Sequence, residues 1–154
     1  MHYADTVPAS VLLKNRLLVL SIKGKSVLII DDDAAMLRAL NRVLRGEGAM
    51  VTNASRADEA MAHLAEKSER FDLIITDLRM PVVDGRAILG AVTVAVPQVP
   101  VIIVTAFGSP ELKSECLRDG ATDFLEKPLD TGELLGAIEH AFSKQKQDSP
   151  HHGC

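Results

Sequence analysis

The stretch Phe71-Asp72-Leu73-Ile74-Ile75-Thr76-Asp77 runs straight into Leu78-Arg79-Met80-Pro81-Val82-Val83-Asp84-Gly85. A short, almost continuous apolar run reads as a strand covered on both faces. Asp77 stands where that strand ends, and the proline and glycine beyond it mark a loop that fixes its geometry. Three further runs end on chemistry in the same way: Ser26 to Ile30 leads to Asp31, Asp32 and Asp33, Val101 to Val104 leads to Thr105, and Ala121 to Leu125 leads to Lys127-Pro128. One functional group at each of four strand ends points to a built site.

A fifth run, Met50 to Asn53, carries no such group. Between the runs the apolar spacing changes to three and four residues. Met36, Leu37, Leu40, Val43 and Leu44 form one such set, Ala57, Ala60, Met61 and Leu64 another, and Leu134, Leu135, Ile138, Ala141 and Phe142 a third. These are helices with one apolar face. A weaker helical pattern, with Gly90 and several β-branched residues, runs from Asp84 to about Val94. Asp33, Ser55, Asp84 and Ser109 are placed to cap helices, Pro110 suits a first turn, and Gly46, Gly48 and Gly120 suit helix ends. Regular strand–helix alternation implies parallel strands joined by right-handed crossovers, hence a three-layer α/β sandwich.

The chain has 154 residues, room for one domain with a full core and too few for two. Hydrophobic residues at 47% and charged residues at 25% describe a globular domain, and aromatic residues at 3% require an aliphatic core. A net charge of −4, with the acids gathered at strand ends, argues against direct nucleic-acid contact. Cys116 and Cys154 have neither metal-ligand nor disulfide spacing, which fits a reducing cytoplasm. Cys116 is expected to pack inside a helix. Val11 to Leu20 is broken by Lys14, Asn15 and Arg16, so it reads neither as a membrane span nor as a signal peptide. The expected organisation is an N-terminal extension over 1–24, one domain over 25–144, and a disordered tail over 145–154. In that tail a frayed end is preferred to a metal site at His151, His152 and Cys154.

In an open parallel sheet, ligand-binding groups gather at the carboxyl ends of strands. Asp31, Asp32 and Asp77 crowded there need compensating cations. Lys127 is one. A hard divalent ion is the other, and Mg²⁺ suits better than zinc because no histidine or cysteine lies near these ends. Carboxylates, Mg²⁺, a lysine and a hydroxyl suit phosphoryl transfer, with an aspartate able to serve as nucleophile. Asp77 is the best candidate.

Taken together, Val27 to Asp33, Asp72 to Gly85, Val101 to Ala106 and Gly120 to Pro128 resemble the receiver domain of two-component response regulators. The resemblance covers about residues 25 to 143. It implies a flavodoxin-like, chemotaxis-regulator-like (βα)5 fold with a five-stranded parallel sheet of order 2-1-3-4-5. It implies further that Asp77 accepts a phosphoryl group from a histidine kinase or phosphotransfer protein. Asp32, Asp77 and the backbone carbonyl of Arg79 would hold Mg²⁺, with Asp31 acting mainly through water. Thr105 and Lys127 would bond the phosphoryl oxygens, Lys127–Pro128 would be cis, and Phe124 would turn inward when Thr105 moves. The chain would modify only itself, slow autodephosphorylation included, and is not expected to be an enzyme acting on others. Its output would pass to a protein effector or a second copy through the face of the fourth helix, fifth strand and fifth helix. Arg79 and Phe107 occupy positions that tune phosphoryl lifetime in such a family, and Phe107 is large enough to restrict water.

Simpler readings compete at several residues. Asp33 is preferred as a cap over a third metal ligand, Asp123 as solvent-facing, and His63 as a surface histidine over a phosphohistidine. Gly24-Lys25-Ser26 lacks the earlier glycine of a phosphate-binding loop and precedes a strand, so it is rejected. Two other functions remain open: a haloacid-dehalogenase-type phosphatase, although Asp31-Asp32-Asp33-Ala34-Ala35 lacks the threonine of that motif, and a phosphorylation-independent scaffold. No output domain is seen after the last helix, which suggests a stand-alone receiver or one excised from a longer protein.

Overall fold

Strand–helix alternation produces the expected α/β sandwich. The structure, a computed structural model, describes residues 22–66, 70–80 and 83–147. The expected head segment up to residue 21 and the tail from residue 148 lie outside the described residues.

Five strands, β1 (Ser26–Ile30), β2 (Met50–Ala54), β3 (Leu73–Thr76), β4 (Val101–Thr105) and β5 (Asp123–Glu126), form one parallel sheet of order 2-1-3-4-5. Among the described residues, five helices connect or flank them: α1 (Ala34–Gly46), α2 (Ala57–Ala65), α3 (Gly85–Ala95), α4 (Pro110–Arg118) and α5 (Thr131–Gln147). The helix after β5 therefore runs three residues beyond 144, and Ile22, ahead of β1, is fully buried in the core.

Alternation along each strand splits the core in two. Val27, Ile29, Leu73, Ile75, Ile102 and Val104 face α1 and α5, meeting Leu40, Leu44, Leu134 and Ile138. Leu28, Ile30, Ile74 and Ile103 face the other layer, meeting Ala60 of α2, Ile88, Leu89 and Val92 of α3, and Cys116 of α4. Burial on both faces is why these strands read as unbroken apolar runs. Among the described residues, no helix is long and apolar enough to cross a membrane.

The helix ends follow local chemistry. Asp33 caps α1, its Oδ1 accepting the Ala35 N–H at 2.9 Å, and Ser109 caps α4, its Oγ accepting the Leu112 N–H at 3.1 Å. Gly48 and Gly120 take left-handed conformations, φ 89° and 114°, that close α1 and α4. Ser55 is a correction. Arg56 holds the cap position of α2 without a side-chain capping bond, while Glu59 Oε2 turns back to accept the Ser55 N–H at 3.0 Å. A carboxylate in the first turn competes well there, because the helix N-terminus favours negative charge. The Asp84 side chain lies outside what is described. β3 begins at Leu73 and not Phe71, since Asp72 Oδ2 instead accepts the Ser26 N–H at 2.8 Å. β5 begins at Asp123, because Ala121 is used in closing α4.

One pairing has no counterpart in the sequence pattern: Arg79–Met80 pairs antiparallel with Val83–Asp84, folding the loop after Asp77 back on itself. Gly85 locks its far end, donating its N–H to Leu78 O at 3.0 Å. A Cβ at Gly85 would strike the backbone of Leu78. Gly85→Ala is expected to destabilise the fold by about 1–3 kcal/mol, the range for forcing atoms into filled space. A lowered midpoint in urea denaturation, with unchanged slope, would show it.

Candidate functional site

Sheet register brings the four strand ends together. Ile30 lies opposite Thr76, so Asp31 and Asp77 follow side by side. Thr76 lies opposite Ile103, two residues before Thr105, and Thr105 lies opposite Glu126, one residue before Lys127. The Lys127 N–H donates to Thr105 O at 2.8 Å, and the Lys127–Pro128 bond is cis.

Lys127 is the hub of the cluster. Its Nζ donates to Asp31 Oδ2 at 2.8 Å and to Asp77 Oδ2 at 2.9 Å. The other oxygens of both carboxylates are held by backbone: Asp33 N–H reaches Asp31 Oδ1 at 2.9 Å, and Arg79 N–H reaches Asp77 Oδ1 at 3.0 Å. Asp31, Asp77 and Thr105 are buried, at 2%, 7% and 0% exposure. Burial pulls the Lys127 ammonium down, but hydrogen bonds to two carboxylates outweigh it and leave Lys127 above its ordinary value. Asp31 also rises, because its burial exceeds what the Lys127 and Asp33 bonds recover. The two ends of one ion pair thus differ in benefit: Lys127 draws on two anions, while Asp31 has a share in one cation. A second cation would relieve it.

Room for that cation is present. Carboxylate oxygens of Asp31, Asp32 and Asp77 lie within 4.8 Å of one another. Asp32 is exposed, and among the described residues no hydrogen bond or ion pair engages it. An all-oxygen donor set with one idle carboxylate fits a hard divalent ion such as Mg²⁺ and does not fit zinc.

Thr105 Oγ1 accepts the Phe107 N–H at 3.4 Å, and Phe124 packs inward at 4% exposure within the α2–α3–α4 layer of the core. Asp123 is half-buried, its Oδ1 accepting the Phe124 N–H at 2.8 Å, so it is not simply solvent-facing. The Arg79 guanidinium lies 3.9 Å from the centroid of the Phe107 ring. Sequence reasoning named both residues but missed their contact, since nothing in either motif specifies a side-chain direction.

A family model for the response regulator receiver domain matches residues 27–139. The chain belongs to the response regulator receiver domain family. The transcriptional regulatory protein ZraR of Salmonella typhimurium is 39% identical over 127 residues, 82% of this chain and 28% of that protein. The DNA-binding transcriptional regulator NtrC of the same organism is 36% identical over 125 residues, 80% and 26% respectively. This receiver domain therefore spans about a quarter of the length of those curated relatives. Among solved structures, a CheY-like receiver domain protein from Methanospirillum hungatei JF-1 matches with a TM-score of 0.75 and 30% identity, over 82% of this chain and all of that one. Receiver domains are the phosphoacceptor modules of two-component systems, bind Mg²⁺ through an acidic cluster, and interact with histidine kinases and effectors. Family membership sets aside the haloacid-dehalogenase reading.

If the three-carboxylate cluster holds Mg²⁺, the ion stabilises the folded receiver by mass action. At about ten times its dissociation constant it should add about 1.4 kcal/mol. Thermal melts with and without MgCl₂ should show a rise in Tm that Asp32→Ala removes; an equal rise in that variant would place the ion elsewhere.

Proposed function

We propose that this receiver is phosphorylated on Asp77 by a histidine kinase or phosphotransfer protein. The observation that carries the reading is the arrangement of Asp77. Its carboxylate is fixed at both oxygens, by Lys127 Nζ and by the Arg79 N–H, and the idle Asp32 lies beside it. A carboxylate so held is aimed before its partner arrives, and positioning is much of what phosphoryl transfer needs.

In the transfer, an Asp77 oxygen attacks phosphorus in line with the P–N bond of a donor phosphohistidine. The P–O bond forms as the P–N bond breaks, and the imidazole keeps the electron pair and takes up a proton. Lys127 bonds one phosphoryl oxygen and Thr105 Oγ1 another. Asp32, Asp77 and the Arg79 carbonyl, with Asp31 through water, would hold Mg²⁺, which supplies charge neutralisation between nucleophile and phosphoryl oxygens. Hydrolysis of the same acyl phosphate is the only further chemistry proposed, so the protein modifies itself and no other substrate.

Movement of Thr105 toward the phosphoryl group vacates space beside β5. Phe124 already lies inward in this structure, which departs from the expected inward turn, so the proposed effect of Thr105 movement is to hold the ring in this inward rotamer against an outward one. The surface so altered is that of α4, β5 and α5, offered to a protein effector or a second copy in the cytoplasm. Direct nucleic-acid contact by this domain is not proposed, in keeping with its net charge of −4.

Incubation with acetyl phosphate and Mg²⁺ should add the mass of one phosphoryl group, and chelation of the metal should slow this by about a hundredfold or more. Asp77→Asn should abolish the gain. A gain that survives in Asp77→Asn would move the phosphoacceptor to another residue, and no gain in the parent chain would favour the scaffold reading.

A further inference from the structure

Phosphorylation changes the charge at the site by about one unit, since a singly charged carboxylate becomes an acyl phosphate with about two negative charges. With a divalent ion bound, Lys127 and that ion would match the three carboxylates before transfer. Afterwards one negative charge is left over. Lys127 is already bonded to Asp31 and Asp77.

A further cation stands two residues beyond Asp77: Arg79, whose own N–H bonds Asp77 Oδ1. Among the described residues, no carboxylate pairs with its guanidinium. It is stacked instead on Phe107, 3.9 Å from the ring centroid, and that ring is 59% exposed. A cation–π contact between exposed groups is weak, and a neighbouring phosphoryl dianion is the stronger partner. Phe107 belongs to the segment from Thr105 to Ser109 that enters α4, so the stack ties the loop after Asp77 to the loop before α4.

We propose that the Arg79–Phe107 stack is a charge-operated latch: phosphorylation draws the Arg79 guanidinium off the ring and toward the phosphoryl group, freeing the β4–α4 loop. The latch rests on Asp77 being the phosphoacceptor. It acts alongside Thr105, from the side chain of a residue whose backbone already serves the site.

The chain has no tryptophan, so Phe107→Trp introduces a sole indole reporter that retains the stack. Acrylamide quenching of that indole should rise by about twofold on loading with acetyl phosphate and Mg²⁺, as a ring covered on one face becomes open on both. With Arg79→Gln added, quenching should start at the higher value and stay there, whereas Arg79→Lys should retain the response. A mass gain of one phosphoryl group with unchanged quenching overturns the latch alone. So does an equal response in the Arg79→Gln background. No mass gain overturns the Asp77 reading and the latch with it. Without the tryptophan reporter, hydrogen exchange at residues 106–109 should follow the same pattern: faster on phosphorylation of the parent chain, and already fast in Arg79→Gln.

Discussion

Two buried carboxylates sharing one ammonium impose the main constraint on this molecule. Asp31 and Asp77 come from different strands, and Lys127 comes from a third, 96 and 50 residues away in sequence. None of the three tolerates burial alone, because an unpaired charge in a poorly solvated place costs several kcal/mol. The sheet must therefore hold β1, β3 and β5 in a register that delivers all three to one edge. It does so through unbroken parallel pairing and an aliphatic core on both faces. Lys127 is shared between Asp31 and Asp77, burial keeps Asp31 above its ordinary value, and Asp32 beside them has no cation of its own among the described residues. Three carboxylates beside one ammonium are the acidic cluster through which receiver domains bind Mg²⁺.

The division of labour between strands and loops explains what the sequence could reveal. Strand ends were legible because a buried parallel strand is a run of Val, Ile and Leu with an abrupt polar stop. Asp31, Asp77, Thr105 and Lys127 stand at or beside such stops, and the structure brings them together. Helix order and sheet order followed from alternation and the crossover rule together with the receiver resemblance. Errors fell where side chains choose among several local partners. Ser55 looked like a cap by residue type, but Glu59 one turn later bonds its N–H. Phe71 and Asp72 continued an apolar run, but the Asp72 carboxylate engages the Ser26 N–H.

Other features left no pattern to read. The antiparallel pairing of Arg79–Met80 with Val83–Asp84 spans residues with no alternation of their own. The bridge from Arg86 on α3 to Glu115 on α4 and to Asp119 at its C-terminal cap, at 3.0 and 2.8 Å, depends on the distance between two helices. The stack of Arg79 on Phe107 depends on where two loops cross. Long-range contacts between exposed side chains carry no periodicity, so spacing cannot announce them.

The β4–α4 segment is held by a series of close contacts, most of them local. Thr105 Oγ1 holds the Phe107 N–H, the Phe107 ring lies under Arg79, and Gly108 sits where a Cβ would come within 2.6 Å of Glu126. Ser109 then caps α4 with its hydroxyl, and Pro110 opens the helix. Little slack remains between the buried hydroxyl and the first turn of α4. A shift of Thr105 by even part of an ångström has to be taken up by breaking one of these ties or by moving the helix. The weakest is the exposed stack of Arg79 on Phe107, held by neither burial nor a hydrogen bond. It is also the tie whose cation a new negative charge at Asp77 would attract. In the proposed latch, events at the carboxylate and events at α4 are joined through this segment.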